Sequence, residues 1–175
     1  MREYLLLLPI IFIFHDMEEI IGFDWFFKTN PDLFEHFPKL RKVYDGLTTA
    51  TFAAAVYEEF IPFFGVSLLA YYFPNKILNA VWFGILLSLT AHFVVHILLS
   101  ICIKKYVPCV ITSFICLPVS CLIVIKSTPH LDLDMITVIC IIISVLAMIA
   151  NIKLAHGFAH FLSKKTDSSL KDVKF

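Results

Sequence analysis

Five long apolar stretches separated by short polar breaks dominate the chain. A helix needs about 20 mostly apolar residues to cross the hydrocarbon layer of a membrane, and each stretch is long enough. The first covers about residues 4–27 and is interrupted by the run HDMEE at positions 15–19. The second covers about 46–73 and stops before Pro74, the third covers 76–103, and the fourth covers about 106–125. The fifth runs from about 135 to 162, with Asp132 and Asp134 ahead of it as signals of a helix start. The pattern predicts an all-α integral membrane bundle of about five transmembrane helices. It forms one domain over residues 1–165, followed by a short, mostly disordered tail at 166–175. Only Arg2, offset by Glu3, precedes the first stretch, and no small-x-small cleavage site follows it. It therefore reads as a retained span and not as a secretory signal.

Composition strengthens the membrane reading. Apolar residues make up 59% of the chain and charged residues 16%, with mean hydropathy +0.87. A soluble chain is nearer half apolar and a quarter charged. Net charge is zero, with 14 basic and 14 acidic residues, so no nucleic-acid footprint is present. No Walker loop, GxGxxG or GxSxG occurs, which removes the common nucleotide and serine-hydrolase readings. The five cysteines (Cys102, Cys109, Cys116, Cys121, Cys140) form no CxxC pair and are expected to pack as small hydrophobes.

Basic residues set the expected orientation. With five spans, one side holds ten Lys and Arg: Lys28, Lys39, Arg41, Lys42, Lys104, Lys105, Lys164, Lys165, Lys171 and Lys174. The other side holds three, Arg2, Lys76 and Lys126. The N-terminus is therefore expected outside and the C-terminus in the cytoplasm, in a multi-pass protein of a bacterial cytoplasmic membrane. The first loop mixes Phe and Leu with charges and is expected to lie along the interface.

Ionisable groups fall where they are expensive. His15, His92, His96, His156, His160, Asp16, Glu18, Glu19, Glu58, Glu59 and Lys153 all lie within the stretches, and the fourth stretch holds none of them. Each charged group costs about 2.5–3.5 kcal/mol to place at the centre of a spanning helix. On a helix His15, Glu18 and Glu19 share one side, and His92/His96 and His156/His160 are i, i+4 pairs that aim two imidazoles at one point. Glu58 and Glu59 are about 100° apart, so one of them is expected to face inward, beside a helix loosened by Pro62. Counted from the expected cytoplasmic ends, Glu19 lies 8 residues in, His15 and Glu58 12, His92 11, His96 7, His156 6 and His160 2. These depths predict one shared layer in the cytoplasmic half. Imidazoles with carboxylates suit zinc, iron or manganese, and helical bundles that present Glu and His inward hold dinuclear sites. Asp16 or Lys153 is expected to orient an imidazole or a bound anion. Against this stands the plainer reading that intramembrane histidines are helix–helix hydrogen-bond partners. His36 and His130 fall in loops and are expected to be solvated.

The run His15-Asp16-Met17-Glu18-Glu19, close to the N-terminus in a first apolar stretch, resembles the HXXEE family of small multi-pass membrane proteins. The stretch AHFVVHILLSICIKKYVPCVITSFICLPVS is similar to that family's second block. There a histidine-bearing span leads into a basic-Tyr-x-Pro turn, here Lys104, Lys105, Tyr106 and Pro108. Gly tends to follow that Pro in the family; here Cys109 does, a departure expected to touch the turn and not the polar layer. The resemblance covers about residues 4–125 and implies that His15, Glu18 and Glu19 carry a shared function; it supplies no reaction. A looser similarity to membrane fatty-acid hydroxylases and desaturases, through HxxxH, is analogy only, because their HxxHH boxes are missing.

The expected function is a metal-dependent intramembrane enzyme acting on a lipid-like substrate among membrane lipids, by hydrolysis or oxygen chemistry. Its divalent zinc or iron, in one or two ions, is expected on His15, Glu19, Glu58 or Glu59, His92, His96, His156 and His160, with Glu18 as general base. The alternatives are a proton- or metal-coupled carrier, disfavoured by the lack of an inverted repeat, a b-type haem protein, and a non-catalytic membrane protein with structural His/Glu contacts. Self-association stays open.

Overall fold

A computed structural model describes residues 1–172, without the side chains of Lys39 and residues 167–172. Seven helices follow a short turn at Arg2–Tyr4: α1 (Leu7–Thr29), α2 (Leu33–His36), α3 (Pro38–Tyr44), α4 (Thr49–Tyr72), α5 (Lys76–Ile103), α6 (Val110–Ser127) and α7 (Met135–Asp172). No strand occurs among the described residues.

Local chemistry sets the helix starts. Thr48 and Thr51 form a reciprocal cap: the Thr51 backbone N–H donates to Thr48 Oγ1 at 3.2 Å, and the Thr48 N–H donates to Thr51 Oγ1 at 3.0 Å. After Pro74, Asn75 Oδ1 accepts from the Leu78 N–H at 3.0 Å and opens α5, whose bounds match the expected third stretch. Asp134 Oδ1 accepts from the Thr137 N–H at 3.0 Å at the start of α7, and the same carboxylate pairs with Lys76 at the start of α5. The fourth stretch begins later than expected. Cys109 adopts a left-handed backbone, φ 76, so residues 104–109 form a turn and α6 starts at Val110. The tail also departs from expectation, because α7 continues as helix to Asp172. No Gly or Pro follows Gly157 to stop it. The rest of the expected disordered tail, residues 173–175, lies outside the described residues.

Central in the bundle, α5 packs against α4, α6 and α7, while α1 lies against α4 and α6. Gly84 sets the α5–α7 contact: a Cβ there would stand 2.8 Å from the Ile141 carbonyl oxygen and 2.7 Å from Ser144 Cβ. Only a glycine permits that approach, as is usual where apolar helices touch. Trp82, fully buried, donates from Nε1 to the Leu5 carbonyl at 3.0 Å and ties the chain's start to α5.

Among the described residues four helical segments are long and apolar enough to cross a membrane: Thr49–Tyr72, Lys76–Ile103, Val110–His130 (α6 with the helical turn Thr128–His130 that continues it) and Met135–Thr166. Ile136, Ile139, Ile142, Ile143 and Leu146 leave the α7 surface apolar and exposed, as lipid contact requires. The expectation of five is met only in part. α1 is of similar length but carries Asp16, Glu18, Glu19 and Asp24, which lower its apolar character below that of the other four.

Candidate metal centre

Two helices and one turn build the site. His15 and Glu19 stand one turn apart on α1, with Asp16 beside them, and His92 and His96 stand one turn apart on α5. The His15 ring sits 5.5 Å from the His92 ring and 5.1 Å from the His96 ring, centroid to centroid. His92 Nε2 and His96 Nε2 face one another at 2.9 Å. At that distance one ring N–H donates to the nitrogen of the other, and an ion that took the place of the shared proton would meet both imidazoles. Phe93, fully buried, packs on the His15 ring at 4.7 Å and closes the apolar side.

The turn before α6 supplies the other wall. Gly22 on α1 lets it approach, since a Cβ there would lie 2.9 Å from Pro108 Cγ. The Cys109 thiol then donates to the His15 carbonyl oxygen at 3.3 Å and toward Glu19 Oε2 at 3.6 Å. Thr112 Oγ1 lies 3.1 Å from His15 Nδ1 and reaches the carbonyls of His15 and Cys109 at 3.4 and 3.3 Å. With its proton on either carbonyl, the hydroxyl oxygen accepts from His15 Nδ1–H. That tautomer leaves the lone pair on His15 Nε2, which is buried, without a hydrogen-bond partner and 4.0 Å from Asp16 Oδ1.

Four overlapping groups place their donor atoms within 4.8 Å of one another: His15, His96 and Cys109; His15, Asp16 and His92; Glu19, His92 and His96; and Asp16, Glu19 and Cys109. His15, Asp16, His96 and Cys109 are buried and Glu19 and His92 half-buried. Among the described residues no Lys or Arg pairs with Asp16, Glu19 or Glu59. Buried carboxylates without a positive partner are costly. A divalent cation would supply that charge and use the orphaned His15 nitrogen, so the residues present fit a metal.

The remaining expected residues lie elsewhere or at the edge. Glu59 lines a small cavity with His92, Phe12, Phe63 and Met148, next to the cluster. Glu58 turns away to an outer groove with Ala53, Tyr57, Ile61 and Phe158, where it accepts from Asn151 Nδ2 at 3.4 Å. The 100° between neighbours therefore selects Glu59. Glu18 also turns away: it accepts from Tyr106 OH at 2.6 Å and from the Thr112 and Ile111 N–H groups at 2.7 and 3.4 Å. It caps the N-terminus of α6, where Cys109 gives no side-chain cap. Burial first, and the Glu18 carboxylate second, hold the Tyr106 phenol well above its ordinary pKa, so it stays a donor. His160 Nε2–H donates to the Val43 carbonyl at 2.9 Å, and His156 packs against Tyr44 at 5.5 Å; neither joins the donor groups. Lys153 is exposed on α7 and orients nothing in the cluster. His36 and His130 are exposed as expected, but His36 ends α2 and His130 ends a single helical turn at Thr128–His130, where loops were expected. Asp16, expected beside the ligands, is itself in two of the donor groups.

Sequence reasoning missed Cys109 and Thr112. The expectation that thiols and the fourth stretch stay out of the layer is corrected by the turn, which swings Sγ into it. The signal was the position after Pro108, where the resemblance expects Gly: a site of left-handed backbone is a tight turn, and tight turns bring the chain close to a neighbour.

No curated protein and no solved structure matches the chain. Residues 6–123 match the family described as protein of unknown function with HXXEE motif, a span that contains both α1 and the α5–α6 turn. The geometry gives that motif a division of labour, with His15 and Glu19 in the cluster and Glu18 on the helix that closes it, and the chain belongs to the HXXEE family.

Proposed function

We propose that the protein is a metal-dependent intramembrane enzyme. It holds one or two divalent ions, zinc or iron, among His15, Glu19, His92 and His96, with Asp16 and Glu59 beside them. The observation that carries this reading is the cluster of imidazoles and carboxylates with no Lys or Arg paired to it among the described residues. In this reading α1 is a fifth span, because its His15 and Asp16 turn inward and Glu18 is satisfied by α6. The bias of Lys and Arg places the N-terminus outside and the C-terminus in the cytoplasm.

A lipid-like substrate fits the surroundings. An outward-open groove of about 530 Å³ runs along α1 and is lined by Phe14, Met17, Trp25, Tyr106 and Thr112, with Glu18 among them. Thr112 is its inner wall, and the Thr112 hydroxyl touches His15 on the far side. Sideways access from the lipid phase would therefore end one side chain from the cluster. A bound ion supplies Lewis acidity for hydrolysis, or redox capacity for oxygen chemistry. Thr112 holds the His15 tautomer, and Glu18 positions Thr112 by fixing the α6 N-terminus. Glu59, which accepts no hydrogen bond among the described residues, is the carboxylate placed to take a proton. It replaces Glu18 in that role.

Metal content of the detergent-purified chain tests the proposal. Stoichiometric zinc or iron is expected in the wild type and in His36→Ala and His130→Ala, and is expected to vanish in His92→Ala and Glu19→Ala. Equal metal in all five proteins would overturn it. Metal or proton uptake by sealed vesicles would replace the enzyme with a carrier.

A further inference from the structure

The structure assigns Cys109 to the centre as a thiolate ligand that joins His15 and His96, an inference resting on the metal centre proposed above. His15, His96 and Cys109 form a donor group within 4.8 Å in which every member is buried. His15 Nε2 and His96 Nδ1 are each buried and without a hydrogen-bond partner, an independent sign that a ligand is missing from this cluster. The other cysteines do not compete: Cys102 and Cys121 are exposed, Cys140 is half-buried, and Cys116 joins no donor group.

The backbone holds Sγ in place at a cost. A non-glycine residue at φ 76 is strained, and Gly22 packs the turn so tightly on α1 that the strain is kept with the side chain fully buried. A Gly at 109 would suit that backbone and offer no donor. A thiolate changes the chemistry of the centre. Soft sulfur with imidazole selects zinc, iron, cobalt or copper and excludes magnesium and calcium. Ligation requires the thiol to give up the proton it directs at the His15 carbonyl, and Asp16, Glu19 and the thiolate would then surround the ion with three acidic groups.

The test is cobalt(II) titration of the metal-stripped full chain in detergent, followed by absorption. The wild type is expected to show visible d–d bands with a near-ultraviolet sulfur-to-cobalt charge-transfer band. Cys109→Ser and Cys109→Gly are expected to keep cobalt binding, lose the charge-transfer band and bind about tenfold or more weakly. The glycine variant guards against misfolding, since glycine takes that φ without strain. A sulfur band that survives in both variants overturns the assignment. So does cobalt binding that His92→Ala abolishes but that shows no sulfur band in the wild type; in that case the metal centre stands and only the thiolate falls. A wild type that binds no cobalt removes both.

Discussion

Two His-x-x-x-His pairs occur in the chain, His92/His96 on α5 and His156/His160 on α7, and equal spacing leads them to different ends. The α5 rings face one another across 2.9 Å, opposite His15 of α1. The α7 rings separate, one donating to the Val43 carbonyl and the other lying tilted against Tyr44. Helical spacing decides only that two side chains share a face. What they do depends on what the fold puts opposite. Opposite α5 stand an imidazole, two carboxylates and a thiol, with no Lys or Arg paired to them among the described residues; opposite α7 stand a carbonyl and an aromatic ring at the end of α3. The α5 pair bonds within itself beside unpaired acids, while on α7 His160 is bonded to the end of α3 and His156 Nδ1 stays buried without a partner.

The largest expected effect breaks the pair on α5. His92→Ala or His96→Ala should remove bound metal, while His156→Ala should leave it unchanged, as read by metal analysis of purified protein. Loss of metal in His156→Ala alone would reverse the comparison. Next comes the helix that closes the site. Glu18→Gln keeps the shape of the cap but removes its charge, at a cost of about 1 kcal/mol in stability. It should weaken metal binding about tenfold or more through Thr112 and Cys109. Glu58→Gln, on the outer groove, should change stability by less than about 0.5 kcal/mol. Thermal unfolding with a metal titration separates the two.

Some of this was legible in the residues and some was not. The bounds of α5 follow from Pro74, Asn75 and the uninterrupted apolar run that ends at Lys104, all of which act locally. The inward face of α1 follows from the spacing of His15 and Glu19. The roles of Glu18 and Glu19 do not follow, because adjacent acids point about 100° apart and only the position of α6 shows which one meets a helix N-terminus. Tyr106 to Cys109 reads as the start of a span since those residues are mostly apolar; the left-handed φ at Cys109 is a tertiary outcome, set where Pro108 meets Gly22. His156 and His160 were misplaced for the reason given by the comparison: their partners, Val43 and Tyr44, lie more than a hundred residues earlier in the chain. His160→Ala removes one hydrogen bond to the end of α3, and a loss of about 1 kcal/mol with unchanged metal content is expected.

The smallest effect lies at the opposite end of the same two helices, where Lys76 of α5 pairs with Asp134 at the head of α7. Both side chains are largely exposed, so the pair is screened by water and salt and contributes little. Its pH signature is nonetheless definite. The hydrogen bond from Lys76 first, and the Thr137 backbone N–H after it, pull the Asp134 carboxyl down to about 2. An unfolded Asp titrates near about 3.9. A folded value below the unfolded one means that the contribution is complete above about pH 4 and disappears as pH falls through about 2. Asp134→Asn should therefore lower the thermal midpoint by less than His160→Ala does at neutral pH, and the gap from wild type should close between about pH 4 and pH 2. A gap that widens on acidification would show that the carboxylate is not held by Lys76. The contact between the heads of α5 and α7 would then rest on Gly84 and apolar packing alone, leaving charge pairing without a part in joining the two helices that carry the contrasted histidines.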